Sequence, residues 1–390
     1  MEIVKMGIIG VGNMGSTHSL SIIEGRVPGM TLTAVADRDA ARRDWAKEKL
    51  PDSVKIFEEG DDLIESGLCD AVIVATPHYQ HPVLAIKAMG KGLHVMCEKP
   101  AGVFTKAVRE MNEVAAKSDV TFAMMFNQRT NCVFRKMKEM VSSGKYGQIK
   151  RVNWIITDWY RAQSYYDSGA WRATWAGEGG GVLLNQCPHN LDLLQWICGM
   201  PDKVTAFCHE GKWHHIEVED DVTAYLEYPN GATGVFVTTT GDAPGTNRFE
   251  VTLEKAKIVC ENKKGEEGFT LSVYELEVSE REHCFSTPYG FMPPKGDWVS
   301  VETDGENPQH IGVLAAFADH ILHGGPLVAK GEEGINGLTL SNAMHLSSWL
   351  GKTVTLPIDE DLFLEKLQEK VASSKVKVGG SVHFDTQGTY

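Results

Sequence analysis

Residues 5–15 read KMGIIGVGNMG. A short apolar run feeds Gly10-Val-Gly12-Asn13-Met14-Gly15, and a helical pattern follows over 15–25. In a dinucleotide fold the first glycine makes the tight turn and the second admits pyrophosphate to the backbone. The third lets the helix pack close to the strand. A helix N-terminus then offers N–H groups and a favourable dipole to an anion. Gly10, Gly12, Asn13, Met14 and Gly15 are therefore candidate phosphate-binding positions. An acid supports the reading: Asp37 closes the next apolar run, LTAVAD (32–37), 22 residues beyond Gly15. A carboxylate there accepts hydrogen bonds from adenosine ribose hydroxyls. An ordinary glycine turn would have to produce strand, helix and acid by coincidence. Asp37 repels the extra phosphate of NADP, whereas Arg38 could accommodate it, and the balance favours NAD.

Outward from this stretch, apolar runs recur at 70–76, 93–98 and 120–126, rich in Val, Ile and Ala as in strands buried on both faces. Helical segments at 39–49, 79–90 and 105–117 separate them. This alternation predicts a parallel doubly wound sheet ending near Asn127, and hence a Rossmann domain over 1–127. The remainder differs. A helical segment (131–143) precedes a strand, VNWIITDWY (152–160), and 221–240 reads as a hairpin turning at Pro229-Asn230-Gly231. Strands at 249–262 and 269–278 and helices at 308–322 and 335–350 complete an α/β domain with antiparallel sheet over 128–373. The tail 374–390 is weakly strand-like, either frayed or an arm on a partner subunit.

The 390 residues carry 38 basic and 52 acidic side chains, net −14, which opposes nonspecific nucleic-acid or anionic-membrane binding. No apolar run approaches the roughly 20 residues of a membrane span, and the N-terminus lacks the order of a signal peptide. The eight cysteines form no CxxC pair and suit reduced thiols. A soluble cytoplasmic protein is expected.

Glu98-Lys99-Pro100 ends the apolar run 93–98, at the carboxyl edge where open α/β sheets bind ligands. A surface pair is the bland alternative. Far downstream comes GGGVLLNQCPHNLDLL (179–194). With GVGNMG, VATPHYQH (74–81) and CEKP (97–100), in this order, the chain resembles the Gfo/Idh/MocA oxidoreductases. The resemblance implies a Rossmann domain followed by an α/β domain with a large, open, mostly antiparallel sheet. It also implies NAD(P)-dependent oxidation or reduction of sugars, cyclitols or related polyols. Dimers or tetramers would form through that sheet. Lys99 matches the family lysine that contacts nicotinamide ribose and the reacting hydroxyl. His189 matches the usual general acid/base, and Asn185 stands where many members have Asp. Thr76, Pro77, His81, Glu98 and Asn127 complete the candidate cofactor site, with tight cofactor retention left open.

The chemistry agrees. Oxidising a secondary alcohol needs a proton acceptor near neutrality, which suits His189. A fixed ammonium, Lys99, stabilises developing alkoxide. Asn185 cannot titrate and would orient a hydroxyl. Pro188 suits a first helical position, Gly199 a stop, and His189 falls in the first turn. Asp192, three residues on, either orients the imidazole or sits solvated. The glycines would let backbone and substrate approach closely.

Four of the nine tryptophans fall within 154–175. Aromatic faces pack on sugar C–H faces, so Tyr160 and Trp171, with Arg161 and Arg172, are candidate substrate residues. Trp154 reads as core. A bulky glycoside, oxidised at C3 of a hexopyranoside, is one expectation. An inositol dehydrogenase, a keto-sugar reductase and a nonenzymatic dinucleotide sensor are alternatives. His214-His215 with Glu217, Glu219, Asp220 and Asp221 lacks metal-ligand spacing, so a solvated acidic loop is preferred and no metal is expected.

Overall fold

The structure, a computed structural model, describes residues 2–263, 268–375 and 377. Strands β1 (Val4–Ile9), β2 (Met30–Ala36), β3 (Lys55–Phe57), β4 (Ala71–Val74), β5 (His94–Cys97) and β6 (Phe122–Met124) form one sheet. Its order is β3-β2-β1-β4-β5-β6, and every pairing is parallel. The order reverses between β1 and β4, the switch point where such sheets bind ligands. Val, Ile and Ala along β4 are all buried, because helices cover both faces.

The second sheet contains β7 (Ile149–Ile156), β8 (Lys203–Glu210), β9 (Glu219–Glu227), β10 (Thr233–Thr239) and β11 (Asn247–Leu253). It continues with β12 (Ala256–Asn262), β13 (Thr270–Leu276), β14 (Gly296–Ser300) and β15 (Val354–Thr355). The order is β14-β13-β12-β11-β7-β10-β9-β8-β15, with β7–β10 its parallel pair. Alternation along β7 buries Val152, Trp154 and Ile156 and exposes Ile155. Trp154 is core, as expected, and stacks on Phe249 with ring centroids 4.1 Å apart. The β9–β10 hairpin turns at Asn230-Gly231 as its sequence implied.

Two expectations change. β7 ends at Ile156, so 157–160 leave the sheet before the aromatic segment rather than extending the strand. The helix Gln309–His323 returns to the first sheet, where Val313, Leu314 and Phe317 join the core of Val4, Met6 and Ile8. Most of the 374–390 tail lies outside the described residues. Ser374 and Lys375 bond Glu217, and Lys377 Nζ donates to the Tyr166 and Arg172 carbonyls.

Candidate active site

The glycine loop opens the site. Gly10 has φ +93°, and a Cβ there would lie 2.5 Å from the Ala75 carbonyl oxygen. A Cβ on Gly15 would stand 1.8 Å from the Gly10 oxygen. At Gly12 a Cβ would meet nothing within 4 Å, so this face of the turn is open, as a pyrophosphate cradle requires. The helix Asn13–Ile23 starts there without a side-chain cap. Asp37 accepts from the Val11 N–H (2.8 Å) and the Asp39 N–H (2.9 Å). Each carboxylate oxygen keeps a second lone pair for a ribose hydroxyl. Arg38 reaches away to Glu59, 2.8 Å from its Nε. These residues fit a dinucleotide.

Thr76, Lys99 and Asn127 follow the carboxyl ends of β4, β5 and β6. His81 is tied down, its ring nitrogens 2.7 Å from the Pro100 and Thr76 carbonyls, so it clamps two strand ends together. Asn127 Nδ2 donates to Gln309. Glu98 is buried against His18, 2.7 Å away, and the Lys99 N–H points at its carboxylate. Burial alone would push the Glu98 carboxyl up, but the His18 hydrogen bond and charge hold it down at about 2. His310 lies beside His18, and burial with the His18 charge takes it down to about 4. Neither histidine was legible as a site residue, since helices far apart in the chain bring them to Glu98.

The helix Pro188–Cys198 starts at Pro188 and stops at Gly199 (φ +82°), as the sequence implied. His189 is 6% exposed, and neither ring nitrogen has a protein partner. Burial first, then the Lys99 ammonium, holds its imidazole well below the ordinary range, hence neutral. Lys99 Nζ donates to the Asn185 carbonyl oxygen at 2.9 Å, tying the EKP strand end to the 179–194 segment. Buried polar atoms without partners occur at these strand ends and along 172–189: Thr76 Oγ1, Asn127 Oδ1, Arg172 Nε, Gln186 Oε1 and both His189 nitrogens. Buried polar groups are ordinarily bonded, so atoms left open on these residues suit a ligand.

Asp192 neither orients His189 nor meets solvent. Its carboxylate grips Arg129 bidentately (2.8 and 2.7 Å), and Gln195 adds a third bond. The glycines of 179–181 serve the chain itself. A Cβ on Gly179 would lie 2.3 Å from Val103 Cγ1, and one on Gly181 2.0 Å from the Glu219 carbonyl. The expected solvated acidic loop is also overturned for Glu219 and Asp220, both fully buried. Glu219 accepts the Gly181 and Leu183 N–H groups, and Asp220 accepts those of Lys212, Trp213 and His214. Among the described residues no cluster of His, Cys, Asp or Glu could hold a metal ion.

The aromatic segment divides. Tyr166 and Trp175 are buried core, and Tyr160 is 54% exposed. Tyr165 is flanked by two guanidinium groups, Arg161 and Arg172, at 5.2 and 4.3 Å from its centroid. Trp171 meets His78 edge-on and Arg172 over its face. Tyr165 OH donates to Asn185 Oδ1, and Asn185 Nδ2 donates to Glu178, a buried carboxylate the sequence reading passed over.

Residues 4–126 match the oxidoreductase family with an NAD-binding Rossmann fold, and residues 134–259 match the GFO/IDH/MocA C-terminal domain. The chain belongs to the GFO/IDH/MocA oxidoreductase family. This GFO/IDH/MocA chain is 26% identical over 356 residues to the myo-inositol 2-dehydrogenase of Thermotoga maritima, covering 88% of this chain and 96% of that one. It is 28% identical over 195 residues to the rhizopine catabolism protein MocA of Rhizobium meliloti. There it spans only 57% of the relative's length and 50% of its own. The WlbA dehydrogenase of Bordetella pertussis, solved with NADH and UDP-GlcNAcA, shares the fold: TM-score 0.75, 24% identity, 92% of this chain and 100% of that one.

Several histidines of this GFO/IDH/MocA site stay neutral through burial: His78, His189 and His310 all lie below the ordinary value, His310 at about 4. The unfolded chain takes up these protons near pH 6.5, the folded chain at lower pH. Folding stability should therefore fall as pH drops from about 6.5 toward 4, seen as a lower Tm at pH 5 than at pH 7. A Tm that rises on acidification would contradict the neutral assignment.

Proposed function

We propose that the protein is an NAD-dependent dehydrogenase acting on a secondary hydroxyl of a sugar or glycoside, with a cyclitol as the second reading. The observation that carries this is the pairing of Lys99, anchored on the Asn185 carbonyl, with a buried, unpartnered and neutral His189 at the carboxyl edge of the dinucleotide sheet. Gly10, Gly12, Asn13, Met14, Gly15 and Asp37 would hold the dinucleotide, with Thr76, Pro77, Glu98, Lys99 and Asn127 along the strand ends. Bound NAD supplies the hydride acceptor for the reacting carbon. His189 takes the hydroxyl proton, which a neutral imidazole can accept. Lys99 steadies the oxygen as its charge develops, and burial strengthens that interaction. Asn185, with both amide groups bonded inside the protein, holds the site's shape and does not titrate.

Trp171, Tyr165, Arg161 and Arg172, packed on one another, would line the substrate side, with the exposed Tyr160 nearby in sequence. This group supports a glycoside whose ring lies on aromatic faces, with C3 of a hexopyranoside as the carbon we favour. The long match to an inositol dehydrogenase supports the cyclitol reading. We further propose residues 1–127, completed by the 309–323 helix, as the dinucleotide-binding unit. Residues 128–373 would bind substrate and form a homodimer or homotetramer across the outer sheet face, where Ile155, Phe207 and Tyr225 are exposed. A cytoplasmic location belongs to the same proposal. Among the described residues no helix is long and apolar enough to cross a membrane.

The test is a panel of glucosides, free hexoses and inositols with NAD and NADP, following reduced nicotinamide. The proposal expects turnover with NAD. Tight NAD binding without turnover of any polyol would favour a sensor. Asp37→Ala should cut kcat/KM for NAD about tenfold or more, roughly 1.4 kcal/mol, while sparing NADP. Equal losses with both cofactors would mean that Asp37 only braces Val11.

A further inference from the structure

We propose that Glu178 is a positioning residue of the reaction: it fixes the Asn185 amide and supplies, beside Lys99, the negative charge that Asn185 cannot carry. The inference rests on the dehydrogenase reading above. Glu178 is 1% exposed in the turn before the glycines. One carboxylate oxygen accepts the Ala173 N–H at 2.5 Å, and the other accepts Asn185 Nδ2. Two donors on two oxygens favour the ionised form, since a protonated carboxyl would turn a donor on one of them. Burial pushes the Glu178 carboxyl above its ordinary value, and Arg172, 3.9 Å away, together with these bonds opposes that shift.

The bonds run in one direction. Arg172 Nη1 donates to Tyr165 OH (2.6 Å), Tyr165 OH donates to Asn185 Oδ1 (3.1 Å), and Asn185 Nδ2 donates to Glu178. Such a chain polarises each member, from guanidinium to carboxylate. Glu178 is its acceptor end, so it decides which way the Asn185 amide faces. The backbone carbonyl of the same residue receives Lys99. The Glu178 carbonyl also faces His78 Nδ1 at 3.1 Å, so the same turn holds a second cleft histidine. Burial pushes Lys99 toward its neutral form, and the charges of Glu98 and then Glu178 oppose this. Glu98 is already engaged by His18. A carboxylate that only pinned the turn at Ala173 would not need to touch Asn185.

Donor and acceptor counting supplies the test. In Glu178→Gln one amide must set donor against donor, and the charge is lost. Adding Asn185→Asp restores both. The new amide at position 178 can donate to the new carboxylate at position 185, Tyr165 still donates to that carboxylate, and one negative charge remains. Asn185→Asp alone sets two carboxylates in contact, so it is not used. Wild type, Glu178→Gln and the Glu178→Gln/Asn185→Asp pair would be compared by kcat, by the pH dependence of kcat/KM, and by the titration of Lys99 after 13C reductive methylation.

For Glu178→Gln the inference expects kcat lower by about tenfold to a hundredfold, the range seen when outer partners of site ligands are removed. Lys99 should lose its proton at lower pH, drawing in the alkaline limb. The pair should recover about tenfold in kcat and return the Lys99 titration toward wild type. A Glu178→Gln enzyme with wild-type rates and titration overturns the inference. So does a folded pair no better than the single variant. Should Glu178→Gln not fold, the pair decides alone: a wild-type Lys99 titration supports the role and a lowered one refutes it. If the wild type oxidises no polyol, the Lys99 titrations still read this inference, separately from the function proposed above.

Discussion

Replacing His189 with alanine should lower kcat by about three orders of magnitude, within the range of a lost general base, while NAD binding stays within a few-fold of wild type. The helix Pro188–Cys198 places His189 in its first turn, buried, with both ring nitrogens unbonded to protein. Burial and the nearby Lys99 charge keep the ring neutral. A neutral base works above its own pKa, which here lies well below 6.5. The acid limb of kcat/KM should therefore fall below pH 6.5, with activity lost as pH drops through it. His189→Ala should remove that limb along with the rate. Stopped-flow and steady-state kinetics across pH would check both. A variant with near wild-type turnover, or a wild-type limb above 6.5, would exclude His189 as the base.

Asp192→Ala should destabilise the fold by about 3–5 kcal/mol, because it strands a buried cation. The Arg129 guanidinium binds both Asp192 oxygens and Glu333 Oε2 (2.7 Å), and lies against Phe126 and Trp196. Side-chain exposures of Arg129 and Asp192 are 2% and 1%. Without Asp192, Glu333 alone remains, and it is about a third exposed. Urea unfolding would measure the loss. Under native conditions the folded variant should keep the wild-type acid limb, because Asp192 does not touch His189. A moved limb with unchanged stability would restore the orienting role considered from sequence.

Five strands of the first sheet were legible because they read as continuous apolar runs, whereas the three-residue edge strand β3, half-exposed, left no such run. The glycine turn and Asp37 were legible because their spacing is local. Lys99 and His189 each stood out by position, and the residues between them did not. Glu178 was hidden in GEGGG, where the glycines drew the reading to close approach of backbone and substrate. Asp192 was misread because its partner, Arg129, lies 63 residues away in sequence. Likewise His18 meets Glu98 across 80 residues, and His310 arrives on a helix that returns from the far end of the chain. Sequence periodicity reports which face of an element is apolar, but not which distant polar group a buried charge will find. Tyr160 shows the converse: the strand expected to present it stops at Ile156, and the side chain faces solvent.

On the proposed reading His189 takes the proton and Lys99 steadies the oxygen during NAD-dependent oxidation of a polyol. The most direct measurement is the initial rate of NADH formation across sugars, glycosides and inositols at saturating NAD, for wild type and Lys99→Met. The account predicts NADH from at least one polyol with the wild type. It predicts a rate about a hundredfold or more lower in Lys99→Met with NAD still bound, as when a charge-stabilising group is removed. NADH formation undiminished in Lys99→Met, or absent from the wild type with every polyol despite bound NAD, would contradict it.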